Sequence, residues 1–223
     1  MNELLFMLTI VVCFTTTLVF YKFLGKNGLL IWVAIATIIS NIETVKLVDL
    51  FGIETALGTV LYASTFLTTD ILNEKYGKKF AIKALYIGFT SMVLMTVFTS
   101  IALLFKPSTS DFANESLKLI FTLNIRITIA SLLGFVTSQL IDTNLYNLLK
   151  NKFKHLWIRN NISTMVSQFF DTIIFVLITY IGTVPTKVII DIMVSMYIFK
   201  FVIAILDTPF MIIAKNIKKV KEV

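Results

Sequence analysis

The chain has one cysteine, one histidine and three prolines in 223 residues, and charged residues make up only 15% of it. A lone Cys13 excludes a disulfide framework, and without a second cysteine or histidine there is no thiolate or imidazole cluster for a metal. His155 has no ligand-type neighbour at suitable spacing and reads as a loop residue. The sequence also lacks a Walker loop: Gly25-Lys26-Asn27-Gly28 has the wrong spacing. No HExxH, CxxC or GxSxG is present, so neither hydrolytic nor redox enzyme chemistry is expected, and no cofactor is called for. A basic n-region with a small-residue cleavage site is missing as well, so residues 4–21 are expected to stay as a span rather than leave as a signal peptide.

What the chain has in abundance is apolar surface. At 57% hydrophobic residues it is too apolar for a soluble domain, in which about a quarter of residues are charged. The net charge of +7 is not a nucleic-acid footprint, because the basic residues sit in short loops between apolar runs rather than on one face among aromatics. The lipid bilayer is the expected surroundings. A span needs about 20 mostly apolar residues, which predicts an all-α, polytopic transmembrane bundle of six to seven helices at 4–21, 28–47, 53–73, 80–105, 118–141, 161–183 and 187–212. The last segment, interrupted by Asp191, Lys200, Asp207 and Pro209, accounts for the six-helix alternative. With no linker between these segments the chain reads as a single integral membrane domain.

Four basic groups recur at every second crossing: Lys22 and Lys26; Lys75, Lys78, Lys79 and Lys83; Lys150, Lys152, Lys154 and Arg159; Lys215, Lys218, Lys219 and Lys221. The positive-inside rule places all four in the cytoplasm, with the N-terminus outside and the C-terminus inside if seven helices span. A homo-oligomer is neither required nor excluded.

Ionisable groups within spans are functional hypotheses by default. Here they are Glu43, Lys46, Asp70, Arg126, Asp142, Asp171, Lys200 and Asp207. The pattern Ser-Gln-x-x-Asp-Thr occurs twice, at 138–143 and 167–172, on consecutive apolar segments. Asp171, ten residues into its span, is expected about 15 Å deep, near the midplane; Asp142 is expected at the hydrated cytoplasmic end. At about 100° per residue, Asn124, Thr128, Ser131, Phe135, Ser138, Gln139 and Asp142 share a face of the fifth span. Thr164, Ser167, Gln168, Asp171 and Phe175 share one on the sixth, and Thr55, Gly58, Tyr62, Phe66, Thr69, Asp70 and Asn73 one on the third. Serine and threonine stripes serve helix packing as readily as function, and Ala130, Gly134 and Ser138 form a small-xxx-small series. The carboxylates and Gln168 point instead to a lined cavity. Arg126 faces away from Asp142 by about 160° on an unbroken helix.

The residues Ser40-Asn41-Ile42 with Lys46, Thr65 to Gly77 (TFLTTDILNEKYG), Arg126 with Ser131, Ser138-Gln139 with Asp142, Trp157-Ile158-Arg159-Asn160, and Ser163 and Ser167-Gln168 with Asp171-Thr172 resemble the queuosine precursor transporter family, the YhhQ-like vitamin uptake transporters, over about residues 40–182. The resemblance implies a multi-pass importer in the bacterial inner membrane. Its small-molecule substrate would be a 7-deazaguanine: the 7-cyano or 7-aminomethyl base, queuine or queuosine. A guanine-like base presents adjacent N–H donors, a carbonyl and a π face, so Asp171 or Asp70 is expected to hold the donors. Gln168, Gln139 or Asn41 would read the carbonyl, and Tyr62, Phe66 or Phe175 would stack. Lys46, Glu74, Arg126, Asp142 and Arg159 are expected in structural or gating roles. Two other readings remain at this point. A substrate-binding subunit of an energy-coupling-factor importer would dock an ATPase module through small residues on its first helix, and residues 4–21 contain no Ala or Gly. A structural membrane protein would bind no deazaguanine.

Overall fold

The two N-terminal apolar runs fold back on each other as one element. In the computed structural model, which describes residues 1–44, 46–122, 125–182 and 185–217, helix α1 spans Asn2–Glu43, and Gly25 interrupts it with φ 57° and ψ −138°. The rings of Phe20 and Trp32 lie 5.7 Å apart, whereas twelve residues of unbroken helix would separate them by about 18 Å. The chain therefore reverses at Gly25 into two arms, 2–24 and 26–43. The left-handed φ favours glycine at 25. Glycine at 28 is a matter of space: a Cβ there would fall 2.2 Å from the Phe20 carbonyl oxygen.

A two-stranded antiparallel hairpin, β1 (Leu47–Leu50) and β2 (Ile53–Ala56), stands where the third span was expected to begin. Its two-residue turn, Phe51-Gly52, has positive φ at both positions, the geometry that matches strand twist. Asn2 Nδ2 donates to the Asp49 carbonyl at 3.1 Å, which places the N-terminus beside the hairpin. Helix α2 then runs Thr59–Tyr76, followed by α3 (Lys78–Leu104), α4 (Asn114–Thr122), α5 (Ile125–Lys152), α6 (Leu156–Tyr180), α7 (Thr186–Leu206) and α8 (Thr208–Asn216).

Two expected ends move. The fifth span does not stop near 141: α5 continues to Lys152, about 15 Å beyond Asp142. Asp142 is accordingly 0% exposed rather than hydrated, because the chain after it is still packed helix. The seventh breaks at Asp207, which precedes α8, and Pro209 sits in the first turn of α8, where it withdraws no helix donor.

Four stretches of the described residues are long and apolar enough to cross a membrane: Asn2–Glu43, Lys78–Leu104, Leu156–Tyr180 and Ile192–Asn216. The more polar α2 is buried from Ala63 through Asn73 and packs against α1, α3, α5, α7 and α8. A helix enclosed on all sides by protein can carry Thr, Asp and Asn at bilayer depth because its neighbours, not lipid, meet them. Outward-facing Leu8, Val12, Phe98, Ile101, Val194 and Ile198 cover the exterior.

The described residues of all four basic groups gather at the end opposite the hairpin. Lys26 lies over the Phe80 ring, Lys75 donates to the Ile217 carbonyl at 2.9 Å, and Glu74 pairs with Lys150 and Arg159 at 3.3 Å and Lys215 at 3.8 Å. This is one-sided placement, as short basic loops in a membrane protein require. Glu74 lies past the apolar part of α2, at this basic rim. Burial alone raises its carboxyl, but Lys150 and Arg159 beside it, with Lys215, hold it below the usual glutamate range.

Candidate functional site

In the half of the bundle nearer the hairpin, six helices surround a cavity of about 60 Å³. Asn41 comes from α1 and Thr44 from the residue that caps it, Tyr62 from α2, Ser131 from α5, Asp171 and Phe175 from α6, and Lys200 from α7; Met92 of α3 and Met196 of α7 complete its apolar wall. Asp171 is the centre of the polar part. Its Oδ1 accepts from the Tyr62 hydroxyl at 2.8 Å and from Ser138 Oγ at 3.5 Å. Its Oδ2 is ion-paired with Lys200, and both side chains are 5% exposed. Lys200 Nζ also lies 5.6 Å from the centre of the Tyr62 ring, a cation–π distance.

The local sequence explains why these groups meet. Within the series Ala130-x-x-x-Gly134-x-x-x-Ser138, Gly134 and Ser138 face α6, and α5 and α6 form the most extensive helix pair among the described residues. Gly134 makes room for the carboxylate itself: a Cβ at this position would fall 2.7 Å from Asp171 Oδ1. On α2, Tyr62 and Phe66 are one turn apart with ring centroids at 5.4 Å, and Phe135 lies 5.9 Å from Tyr62. The cavity thus joins an anion, a cation and an aromatic wall.

Below it the polar groups continue in layers. Gln139 spans α5 and α2, donating to Thr65 Oγ1 at 3.1 Å and accepting from Thr69 Oγ1 at 3.2 Å. The next layer holds Asp70, Asp142 and Asp207, each no more than 2% exposed. Asp142 accepts from Ser167 Oγ at 3.2 Å, and Asp207 from Asn160 Nδ2 at 2.6 Å. Asp70 is eight residues from Tyr62, about 12 Å along α2. The last layer is the Glu74 cluster at the basic rim, where Tyr146 also donates to Glu74 at 3.3 Å. Polar side chains therefore line the interior from cavity to rim.

Residues 56–214 match the family described as "Putative vitamin uptake transporter". A Bacillus subtilis (strain 168) protein, "Probable queuosine precursor transporter", is 39% identical over 209 residues, covering 92% of this chain and 91% of its own length. The chain belongs to the vitamin uptake transporter family. No solved structure matches it. It is a membrane transporter, not an enzyme, and its all-α helical bundle accords with that.

In this vitamin uptake transporter, Asn41, Tyr62, Asp171 and Phe175 line the cavity, and Phe66 supports it through Tyr62. Gln139 has both ends of its amide engaged between helices. Gln168 is 1% exposed, and its carbonyl oxygen accepts no hydrogen bond among the described residues. Asp70 lies in the carboxyl layer with Asp142. Glu74 and Arg159 belong to the rim, and Lys46 is exposed beside the hairpin. The side chain of Arg126, that of Thr55, and Asn124 fall outside the described residues.

Sequence reasoning placed Lys200 inside a span but gave it no role. Charge pairing was the available signal: Asp171 is the one charge in its apolar segment and Lys200 is a cation in the middle of another, and such charges pair with one another. Ser138 was read on the right face of α5 but left among the packing residues, although it approaches Asp171.

Proposed function

We propose that this transporter imports queuosine precursors across the bacterial inner membrane: 7-cyano-7-deazaguanine, its 7-aminomethyl relative, queuine or queuosine. It would act as a secondary or facilitated carrier, with its N-terminus outside and its basic rim in the cytoplasm. The observation that carries the reading is the Asp171 carboxylate facing a cavity walled by Tyr62 and Phe175, in a chain 39% identical to a protein named for queuosine precursors. A buried carboxylate accepts paired N–H donors in one plane, as a guanine-type edge supplies them. The ring face meets the aromatic wall. The polar layers from Gln139 to Glu74 give the substrate groups to pass along, in a bilayer that otherwise offers none. Asn41, Phe66 and Gln168 act around the base in this reading. Lys46, Glu74, Arg126, Asp142 and Arg159 serve the framework and gates.

The test is uptake by cells unable to make the precursor, given each deazaguanine in turn, with and without a protonophore. Expression of the chain should restore queuosine in tRNA, and Asp171→Asn should abolish the restoration while the protein still inserts. Restoration by the Asp171→Asn variant at the wild-type level would remove Asp171 from the site. A protonophore-sensitive uptake identifies a proton-coupled carrier, and an insensitive one a facilitated carrier.

A further inference from the structure

We propose that Lys200 is a specificity-determining residue: its ammonium, which holds one oxygen of Asp171, passes to the carbonyl oxygen of a guanine-type edge as the base's N–H donors take the carboxylate. The inference rests on the deazaguanine reading and extends it from one residue to the whole edge. The order of groups along such an edge is carbonyl oxygen, ring N–H, exocyclic amine. A base that places its two donors on the two oxygens of Asp171 brings its carbonyl alongside one of them. Lys200 is bonded to Oδ2, on the cavity wall, while the Tyr62 hydroxyl holds Oδ1. With the ring N–H on Oδ2, the orientation this proposal assigns, the displaced ammonium meets the carbonyl directly and keeps its attraction to Asp171.

The residue type fits this movement. A lysine ammonium is a compact charge with three donors on a flexible four-carbon stem, able to shift between neighbouring acceptors, unlike a planar guanidinium fork. Both the carboxylate and the ammonium stay compensated throughout, which burial at 5% exposure requires. The arrangement also rejects. An adenine-type edge sets a ring-nitrogen lone pair against the carboxylate and an amine against the ammonium, so both protein charges meet the wrong partner.

A purely structural counter-ion would weaken all ligands alike on removal, whereas a carbonyl reader changes their ratio. The experiment measures binding of two probes to the full chain in detergent: 7-cyano-7-deazaguanine and its thione analogue, in which sulfur, a much weaker acceptor, replaces the carbonyl oxygen while the ring N–H and the exocyclic amine are kept. A hydrogen bond from a charged donor gives the wild type a preference of about 10- to 100-fold for the carbonyl form. In Lys200→Met the two affinities should fall within about threefold of each other. Because that variant leaves a buried carboxylate uncompensated, Lys200→Gln provides a second case. It retains an amide donor for Asp171, and its preference should drop about tenfold from the wild type, as a neutral donor replaces a charged one. Wild-type preference in either folded variant, or equal binding of the two probes by the wild type, overturns the role of Lys200 while leaving the transporter reading standing. Binding of neither probe by the wild type overturns the reading itself.

Discussion

Replacing Gly134 with alanine adds a single methyl carbon, and the structure says where it goes. The new Cβ would lie 2.7 Å from Asp171 Oδ1, 3.4 Å from the Asp171 carbonyl oxygen and 3.6 Å from its Cγ. Carbon and oxygen pack at about 3.3 Å, so the carboxylate has to retreat by about 0.6 Å. Oδ1 is the acceptor of the Tyr62 hydroxyl, now at 2.8 Å. A retreat of that size takes the bond to about 3.4 Å, beyond the range of O–H···O hydrogen bonds. A hydrogen bond to a charged group contributes about 1.5–3 kcal/mol, so Gly134→Ala should lower stability by that order and weaken 7-cyano-7-deazaguanine binding about tenfold or more. Melting of the purified protein in detergent, with and without the base, reads both effects. Tyr62→Phe removes the same bond from the other side and should give a loss of the same order. A Gly134→Ala protein that melts and binds like the wild type would refute the placement of the Asp171 carboxylate against α5.

The other predictions concern the two ends of the bundle. Glu74→Gln leaves the Arg159 side chain, 6% exposed, without its carboxylate, and should destabilise by about 3 kcal/mol, while the folded fraction keeps its ligand affinity because the cavity lies in the opposite half. Glu74 titrates below its unfolded value of about 4.3, so its contribution is full above that pH and is lost as the pH falls below it. Melting against pH should show this loss in the wild type and not in Glu74→Gln. For orientation, Ser108→Cys and Lys152→Cys lie at opposite ends, and the natural Cys13 is buried. An impermeant maleimide should label position 108 in intact spheroplasts and position 152 only after permeabilisation; the reverse pattern would invert the topology.

How far the sequence carries is seen residue by residue. Membrane class and the one-sided basic loops follow from composition and spacing, because a bilayer imposes length and polarity on each segment. Helical periodicity put Tyr62, Ser138 and Asp171 on polar faces, and the fold brings those three faces together. Periodicity gives a direction around one helix and says nothing about which helix stands opposite, which is why Lys200 remained without a partner. The hairpin at Leu47–Ala56 was hidden by its apolar content: within a chain this hydrophobic, short strands resemble the start of a span. The burial of Asp142 depended on α5 outlasting its apolar stretch; Leu145, Tyr146, Leu148 and Leu149 carry the helical spacing onward, but among the polar residues of 143–152 they are too few to count as bilayer span.

The most direct test of the account is an experimental structure of the protein with 7-cyano-7-deazaguanine bound. The account predicts the base between Tyr62 and Phe175, its N–H edge on the Asp171 carboxylate at about 2.8 Å and its carbonyl on Lys200. A base seated instead among Asp70, Asp142 and Asp207, with the Asp171–Lys200 pair intact, would contradict it.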